Sequence, residues 1–249
     1  LLGLCLSKKI VSDAFEEECA RLGEDKRLMS FLMLDDYASW FRKKSASNKI
    51  ADILAMGLTR SKSDDRLNLH LVLTECKYCA ETNEAEESCN QLKNSLKRFE
   101  EALGRRLGGP TDSMALRVWF NRFANMLLDS DIQYEGSEED FLRDLTDLRS
   151  GNVRLSINGY SHYFAYQLPS ASPITKRFDV GEISAYQEIF GPDEIRDLLE
   201  ALTVNGNSRA VLEEKMAGVA EKYAYKTFET MRIRDSGEVV ASSESGAAE

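Results

Sequence analysis

The chain has 249 residues, 43% of them apolar and 30% charged, with a net charge of −10 at pH 7. That is enough apolar material for one large domain with a sizeable core, while the acidic balance excludes a free-standing domain that grips phosphate through overall basicity. Five cysteines without a repeating spacing exclude a disulfide framework, and two histidines, His70 and His162, do not make a ligand pair or a Ser-His triad.

In chain order, residues 12–22, SDAFEEECARL, read as a helix capped by Ser12 with an acidic first turn formed by Glu16, Glu17 and Glu18. Residues 29–33 read as a short strand, and Asp35 and Asp36 as the start of a helix through Trp40 and Phe41. Residues 48–56, NKIADILAM, are an apolar run with one acid, Asp52. Arg42, Lys43, Lys44, Lys49, Arg60 and Lys62 make its surroundings the most basic part of the chain, either a solvated face or a phosphate-facing one. After a polar turn at 60–66 comes LNLHLVLTECKY, 67–78, with Leu67, Leu69, Leu71 and Leu73 alternating. This is a strand buried on one face and half-buried on the other. Alternation with period two projects Glu75 and Lys77 on one side of its end, where charged groups are costly unless something uses them. If the two apolar runs pair, Asp52, Glu75 and Lys77 are presented together.

Hard divalent cations such as magnesium take carboxylate oxygens and water. A metal so held polarises a phosphate and lowers the pKa of a bound water, and a nearby lysine orients that water or offsets phosphate charge. On these residues the sequence resembles the PD-(D/E)xK nuclease superfamily. Asp52 stands at the motif's acid, Glu75-Cys76-Lys77 matches (D/E)-x-K, and Ala51 replaces the proline of the name. The resemblance covers about residues 50–107. It implies a restriction-endonuclease-like α/β fold, with Mg2+ or Mn2+ on Asp52, Glu75 and the Cys76 carbonyl, and Lys77 positioning the attacking water. Gln91, on the helix after the lysine strand, is similar to a glutamine of RecB-like and Cas4-like members, although the tyrosine expected four residues later is Ser95. In several such families an N-terminal helix adds a ligand, which would be Glu16, Glu17 or Glu18. More loosely, ADILAMGL and LTECKY resemble nuclease-like domains attached to HerA/FtsK-type ATPases in bacterial phosphorothioation-dependent restriction and phage-defence systems. That implies DNA and such an ATPase as partners. The alternative is a catalytically inactive domain of the same fold for DNA binding or assembly, in which Glu75 and Lys77 are an end-of-strand ion pair.

Further along, Ala85, Cys89, Leu92, Leu96, Phe99, Leu103 and Leu107 recur at helical spacing, and Gly108-Gly109-Pro110 stops the helix. Cys76-x-x-Cys79, with Cys89 as a third thiol, lacks a second pair and reads as small buried hydrophobes rather than a metal or redox site. Trp119 and Phe120 belong to an apolar helix at 111–128 and read as core rather than base-stacking residues. Ser137 and Asp140 cap a helix at 137–148. VRLSINGYSHYFAYQL, 153–168, holds two alternating runs around Asn158-Gly159, the pair favoured by type I′ hairpins. Residues 182–190 and 193–202 read as helices separated by Gly191-Pro192. Asn205-Gly206-Asn207 is a loop, and Ser208 caps a last helix with Leu212, Met216, Val219 and Tyr223. No Walker-type loop appears, and no apolar run approaches the roughly 20 residues that span a bilayer. Leu1 in place of methionine, and a small polar run at the end, suggest a cytoplasmic piece of a longer polypeptide. The expected architecture is α/β, a central mixed sheet flanked by helices. Residues 1–228 form the domain, with a helical insertion near 111–150 and further helices towards the C-terminus, and 229–249 form a linker-like tail.

Overall fold

The structure, a computed structural model, describes residues 1–37, 50–103, 113–130, 132–168, 174–203, 227–229, 232–233 and 239–240. The elements are α1 (Leu2–Leu22), β1 (Glu24–Met33), a 3-10 turn (Leu34–Tyr37), β2 (Ile53–Ser61), β3 (Leu67–Cys79), α2 (Ala85–Leu103), α3 (Ser113–Asp129) and α4 (Glu138–Ser150). There follow β4 (Val153–Ala165), β5 (Ile174–Val180), β6 (Ile183–Phe190), α5 (Pro192–Thr203) and the short strands β7 (Thr227–Glu229), β8 (Arg232–Ile233) and β9 (Val239–Val240). The main sheet runs β1-β2-β3-β4-β6-β5, and β7 pairs with the first part of β4. β1, β2 and β3 form an antiparallel meander, β4 lies parallel to β3, β6 parallel to β4, and β5 closes the edge antiparallel to β6. A parallel β3–β4 pair requires a long crossover, and α2, α3 and α4 supply it. The protein therefore has the expected α/β class, a mixed sheet flanked by helices.

Helices cover both faces. Leu6, Ile10 and Ala14 of α1 pack with Ile195 and Leu198 of α5 on Ala55, Val72, Tyr160 and Phe164. On the other face Leu92, Leu96 and Phe99 of α2 pack on Leu54, Met56, Leu71, Leu73 and Ile157. A strand covered twice reads as a near-continuous apolar run, so β3, expected to be half-buried on one face, is buried on both as far as Glu75. Trp119 and Phe120 are core residues. The capping box expected at Ser137 and Asp140 is present, with the Ser137 side chain accepting from Asp140 N and the Asp140 carboxylate from Ser137 N.

Three expectations are corrected. Ser12 does not cap α1. The helix begins at Leu2, because the buried stripe of Leu6 and Ile10 extends before the serine, and it ends at Gly23 in the left-handed region (φ 65°). Residues 153–168 are not a hairpin: β4 is one strand, and Asn158 and Gly159 lie mid-ladder opposite Val72 and Leu73. Glycine is needed there for close approach. A Cβ at Gly159 would sit 2.8 Å from Leu96 Cδ1 and 3.3 Å from Leu92 Cδ1 of α2. Gly159→Ala is expected to destabilise the fold by about 1–3 kcal/mol through overpacking, measured by urea unfolding. Finally, 182–190 is strand β6 rather than helix, and β5 precedes it through Gly181 (φ 57°). ISAYQEIF carries apolar residues at both spacings, and burial on two faces of the sheet selects the strand.

Several expectations lie outside the described residues. They are the helix through Trp40 and Phe41, the cations Arg42, Lys43, Lys44 and Lys49, the helix end at Leu107 and Gly108-Gly109-Pro110, and the loop and last helix from Asn205 to Tyr223. Most of the tail at 229–249 lies there too; within it, β8 and β9 pair with each other.

Candidate active site

β3 positions the motif. Its odd-numbered leucines face α2, and Glu75 and Lys77 continue that alternation past the apolar stretch. Asp52 immediately precedes β2, whose Ile53 pairs with Thr74, so the next step of the antiparallel register brings Asp52 opposite Glu75. The Cys76 backbone N–H donates to Asp52 Oδ2 at 2.9 Å, which clamps the acid to the motif strand. Lys77 Nζ lies 3.4 Å from Glu75 Oε1, with Glu75 1% exposed. Asp52, Glu75 and Lys77 are thus brought to one end of the sheet from two strands.

α2 braces this arrangement. Ser95 Oγ accepts a hydrogen bond from Ala51 N at 2.7 Å and donates to the Gln91 carbonyl at 2.9 Å, which fixes the backbone just before Asp52. The Gln91 amide donates to Glu87 on the preceding turn at 3.3 Å, so Gln91 bears on Asp52 through its carbonyl and Ser95. Ser95 was visible in the sequence only as a departure from the superfamily's tyrosine. Its role required the fold, because Ala51 and Ser95 are far apart in the chain. Ser95→Ala leaves a buried N–H without its acceptor and is expected to destabilise by about 1–3 kcal/mol, seen as a lower urea midpoint.

The electrostatics follow from burial. Burial raises the pKa of Asp52, Asp35 adds to the rise, and the Cys76 N–H and Lys77 oppose it. For Lys77, burial alone would lower the pKa, but Glu75 and then Asp52 and Glu84 overcome it and hold the ammonium charged. Because Asp52 is raised in the fold, the stability linked to its protonation is fully present below the unfolded carboxylate range. That stability is lost as pH rises through the folded value. Asp52→Asn keeps an acceptor for Cys76 N–H and is expected to be more stable than wild type at neutral pH, with the two converging in acid. Urea unfolding as a function of pH measures this.

The other candidates fall elsewhere. Burial pushes the Cys76 thiol up to about 12, with Asp52 and Glu75 adding to the rise, so it remains protonated at neutral pH. Cys76 and Cys79 pack in separate clusters, and the cysteines are free thiols. α1 starts near the site, where a Cβ on Gly3 would lie 2.8 Å from Cys76 Sγ. Glu16 follows thirteen residues of helix later, about 20 Å away at helical rise. Glu16 pairs with Lys26 and Glu18 with Arg21, at the opposite sheet end, so these acids do not join Asp52. Arg60, expected on a basic surface, is 4% exposed and bonded to Asp144, and Lys62 pairs with Asp25. His162 is buried against Glu188 at 3.2 Å, and His70 bridges Thr59 and Ser156 inside the sheet.

The donor set is one of oxygens, two carboxylates and the main chain, which suits a hard cation such as Mg2+ or Mn2+. No group of three or more His, Cys, Asp or Glu able to hold a metal ion occurs among the described residues. No helix among the described residues is long and apolar enough to cross a membrane. Comparison with family models, curated proteins and solved structures finds no match.

Proposed function

We propose that this domain is a metal-dependent deoxyribonuclease that hydrolyses DNA phosphodiesters, with Asp52, Glu75 and Lys77 at its reacting centre. The observation that carries the reading is the convergence of Asp52, held on the Cys76 N–H at 2.9 Å, with the Glu75–Lys77 pair at 3.4 Å on the neighbouring strand. The resemblance to the PD-(D/E)xK superfamily supports it.

A divalent ion at this position supplies Lewis acidity towards the phosphate and a bound water of lowered pKa. Asp52 and Glu75 provide the carboxylates, and the Cys76 carbonyl lies on the same segment of β3. Lys77, held as ammonium by Glu75, donates to the attacking water or to a phosphate oxygen. Burial of Glu75 keeps competing water away, which strengthens these interactions. Ser95 and Gln91 position Asp52 through Ala51 without touching substrate. A chain of net charge −10 suits delivery of DNA by a partner. A HerA/FtsK-type ATPase in the same chain or complex, in cytoplasmic restriction or phage defence, is the setting that the looser resemblance implies.

The Glu75–Lys77 distance also favours a second reading, since an end-of-strand ion pair in a non-catalytic assembly domain would have the same geometry. Calorimetric titration with Mn2+ separates the two. Saturable binding by wild type that is lost in Asp52→Ala and Glu75→Ala, together with metal-dependent cleavage of plasmid or single-stranded DNA, is expected for the nuclease. Wild type that binds no metal even with DNA present would leave the assembly domain.

A further inference from the structure

The outer side of α2, turned away from Ser95 and Asp52, forms one wall of a cavity of about 670 Å³ whose other wall is the edge strand β5. Three of its four charged lining residues are cations, Lys93 from α2 and Lys176 and Arg177 from β5, with Glu86 the one lining acid. In a chain of net charge −10 this is a local reversal of sign. Asn83 and Asn90 add amide donors, while Phe178 and Ile189 give the cavity an apolar floor.

Lys93 and Lys176 face the groove from its two walls. Lys93 Nζ rests 4.9 Å from the centroid of the Phe178 ring, a cation–π contact that parks the ammonium over the apolar floor. Arg177 does not share this face: strand alternation places it with Tyr186 and Ser184 on the other side of the sheet, where its Nη2 donates to Ser184 Oγ at 3.2 Å and lies 3.7 Å from Asp179. Lys93 and Lys176 take no part in the ion pairs among the described residues. The floor is held in place because the Gln187 amide, also lining the cavity, donates to the Ala85 carbonyl at 2.5 Å and ties β6 to the start of α2.

Cations on both walls, amides at one end and an aromatic floor select a ligand with negative charges spaced along a flat, partly apolar body. We propose that this groove is a nucleotide-phosphate subsite, in which Lys93 and Lys176 take phosphate oxygens and Phe178 with Ile189 takes the base. Charge-assisted bonds from lysine and arginine suit phosphate, bases stack on aromatic rings without sequence preference, and the volume lies within the range of small-molecule sites. A free nucleotide and a stretch of single-stranded DNA offer this same chemistry. One loop connects the groove to the candidate active site along the chain. Thr82 and Asn83 line it on the loop that leaves β3 just after Lys77, and this loop is pinned by Tyr163, whose hydroxyl donates to the Glu81 carbonyl at 2.7 Å. That the groove guides a strand towards Lys77 rests on the nuclease reading; that it binds nucleotide phosphate does not.

Fluorescence anisotropy in EDTA, where no turnover occurs, tests it with a labelled single-stranded oligodeoxynucleotide and a labelled deoxynucleoside triphosphate. The variants are the exposed charge reversal Lys176→Glu, Lys93→Ala on the other wall, and Arg196→Glu on α5 as a remote control. Lys176→Glu is expected to lose affinity by on the order of tenfold, and the salt slope of log K for the oligonucleotide to shrink by about 0.7. Lys93→Ala weakens binding in the same direction, and Arg196→Glu binds as wild type does. Binding of the oligonucleotide alone assigns the groove to a strand, and binding of the triphosphate alone assigns it to a free nucleotide. Equal binding by wild type and both groove variants, or an equal loss in Arg196→Glu, overturns the proposal. Groove-dependent binding by a protein that never cleaves DNA would sink the nuclease reading and leave the groove standing. Cleavage with groove-independent binding would do the reverse.

Discussion

Lys77→Met is expected to lower metal-dependent DNA cleavage by at least about 10²- to 10³-fold, the scale of removing one preorganised charged donor from a reacting centre. Methionine retains the apolar stem of lysine, which is 24% exposed at its side chain, and removes only the ammonium. The loss should fall on kcat rather than on KM, because an ammonium that orients water acts in the transition state more than in the ground state. Mn2+ affinity should persist, since Asp52 and Glu75 remain. Asp52→Asn should behave differently and lose the metal first. Single-turnover cleavage at saturating Mn2+ measures each point. A Lys77→Met protein that cleaves like wild type would reduce Glu75 and Lys77 to a structural ion pair.

The largest stability effect is expected at the other end of the sheet. Arg60 is 4% exposed and Asp144 1%. Arg60 Nε donates to Asp144 at 2.9 Å, Nη2 bonds Asp144 and Asp147, and Nη1 reaches the Asp65 carbonyl at 2.5 Å. Asp144 also accepts from the Tyr134 hydroxyl at 2.7 Å and faces Arg27 at 3.7 Å. Arg60→Met leaves that carboxylate buried with only part of its compensation, and breaking a buried pair from one side costs about 3–5 kcal/mol. Urea unfolding should show the loss as a lower midpoint. Cleavage per folded molecule should be unchanged, because Arg60 pairs with Leu67 at the start of β3 and Asp52 lies at its far end. The double variant Arg60→Met/Asp144→Leu should recover only part of the loss, since it removes the buried carboxylate but leaves Arg27 and the Tyr134 hydroxyl without that partner.

The misreadings share a cause. Asn158-Gly159 has the local chemistry of a hairpin turn, yet glycine is required because Leu92 and Leu96 approach from a helix more than sixty residues earlier. ISAYQEIF satisfies helix and strand spacing equally, and only its place between β4 and β5 separates them. Ser12 is a good cap by composition, but the buried stripe of α1 continues through it. Arg60 belongs to a polar turn by neighbourhood and to a buried network by contact.

What the sequence determined by itself was local. Alternation along 67–78 is enough to set β3 and to project Glu75 and Lys77 to one side, because strand periodicity depends on consecutive residues alone. The apolar stripe of α2 and the capping box of α4 were legible for the same reason. Tertiary structure alone decided that Asp52 meets the Cys76 N–H, that Ser95 holds Ala51, and that Glu16 and Glu18 stand a helix length away. It also decided that Lys93 faces Lys176 across one groove. Each of these joins residues separated by a crossover or a strand register, and no periodicity within a single segment carries that information.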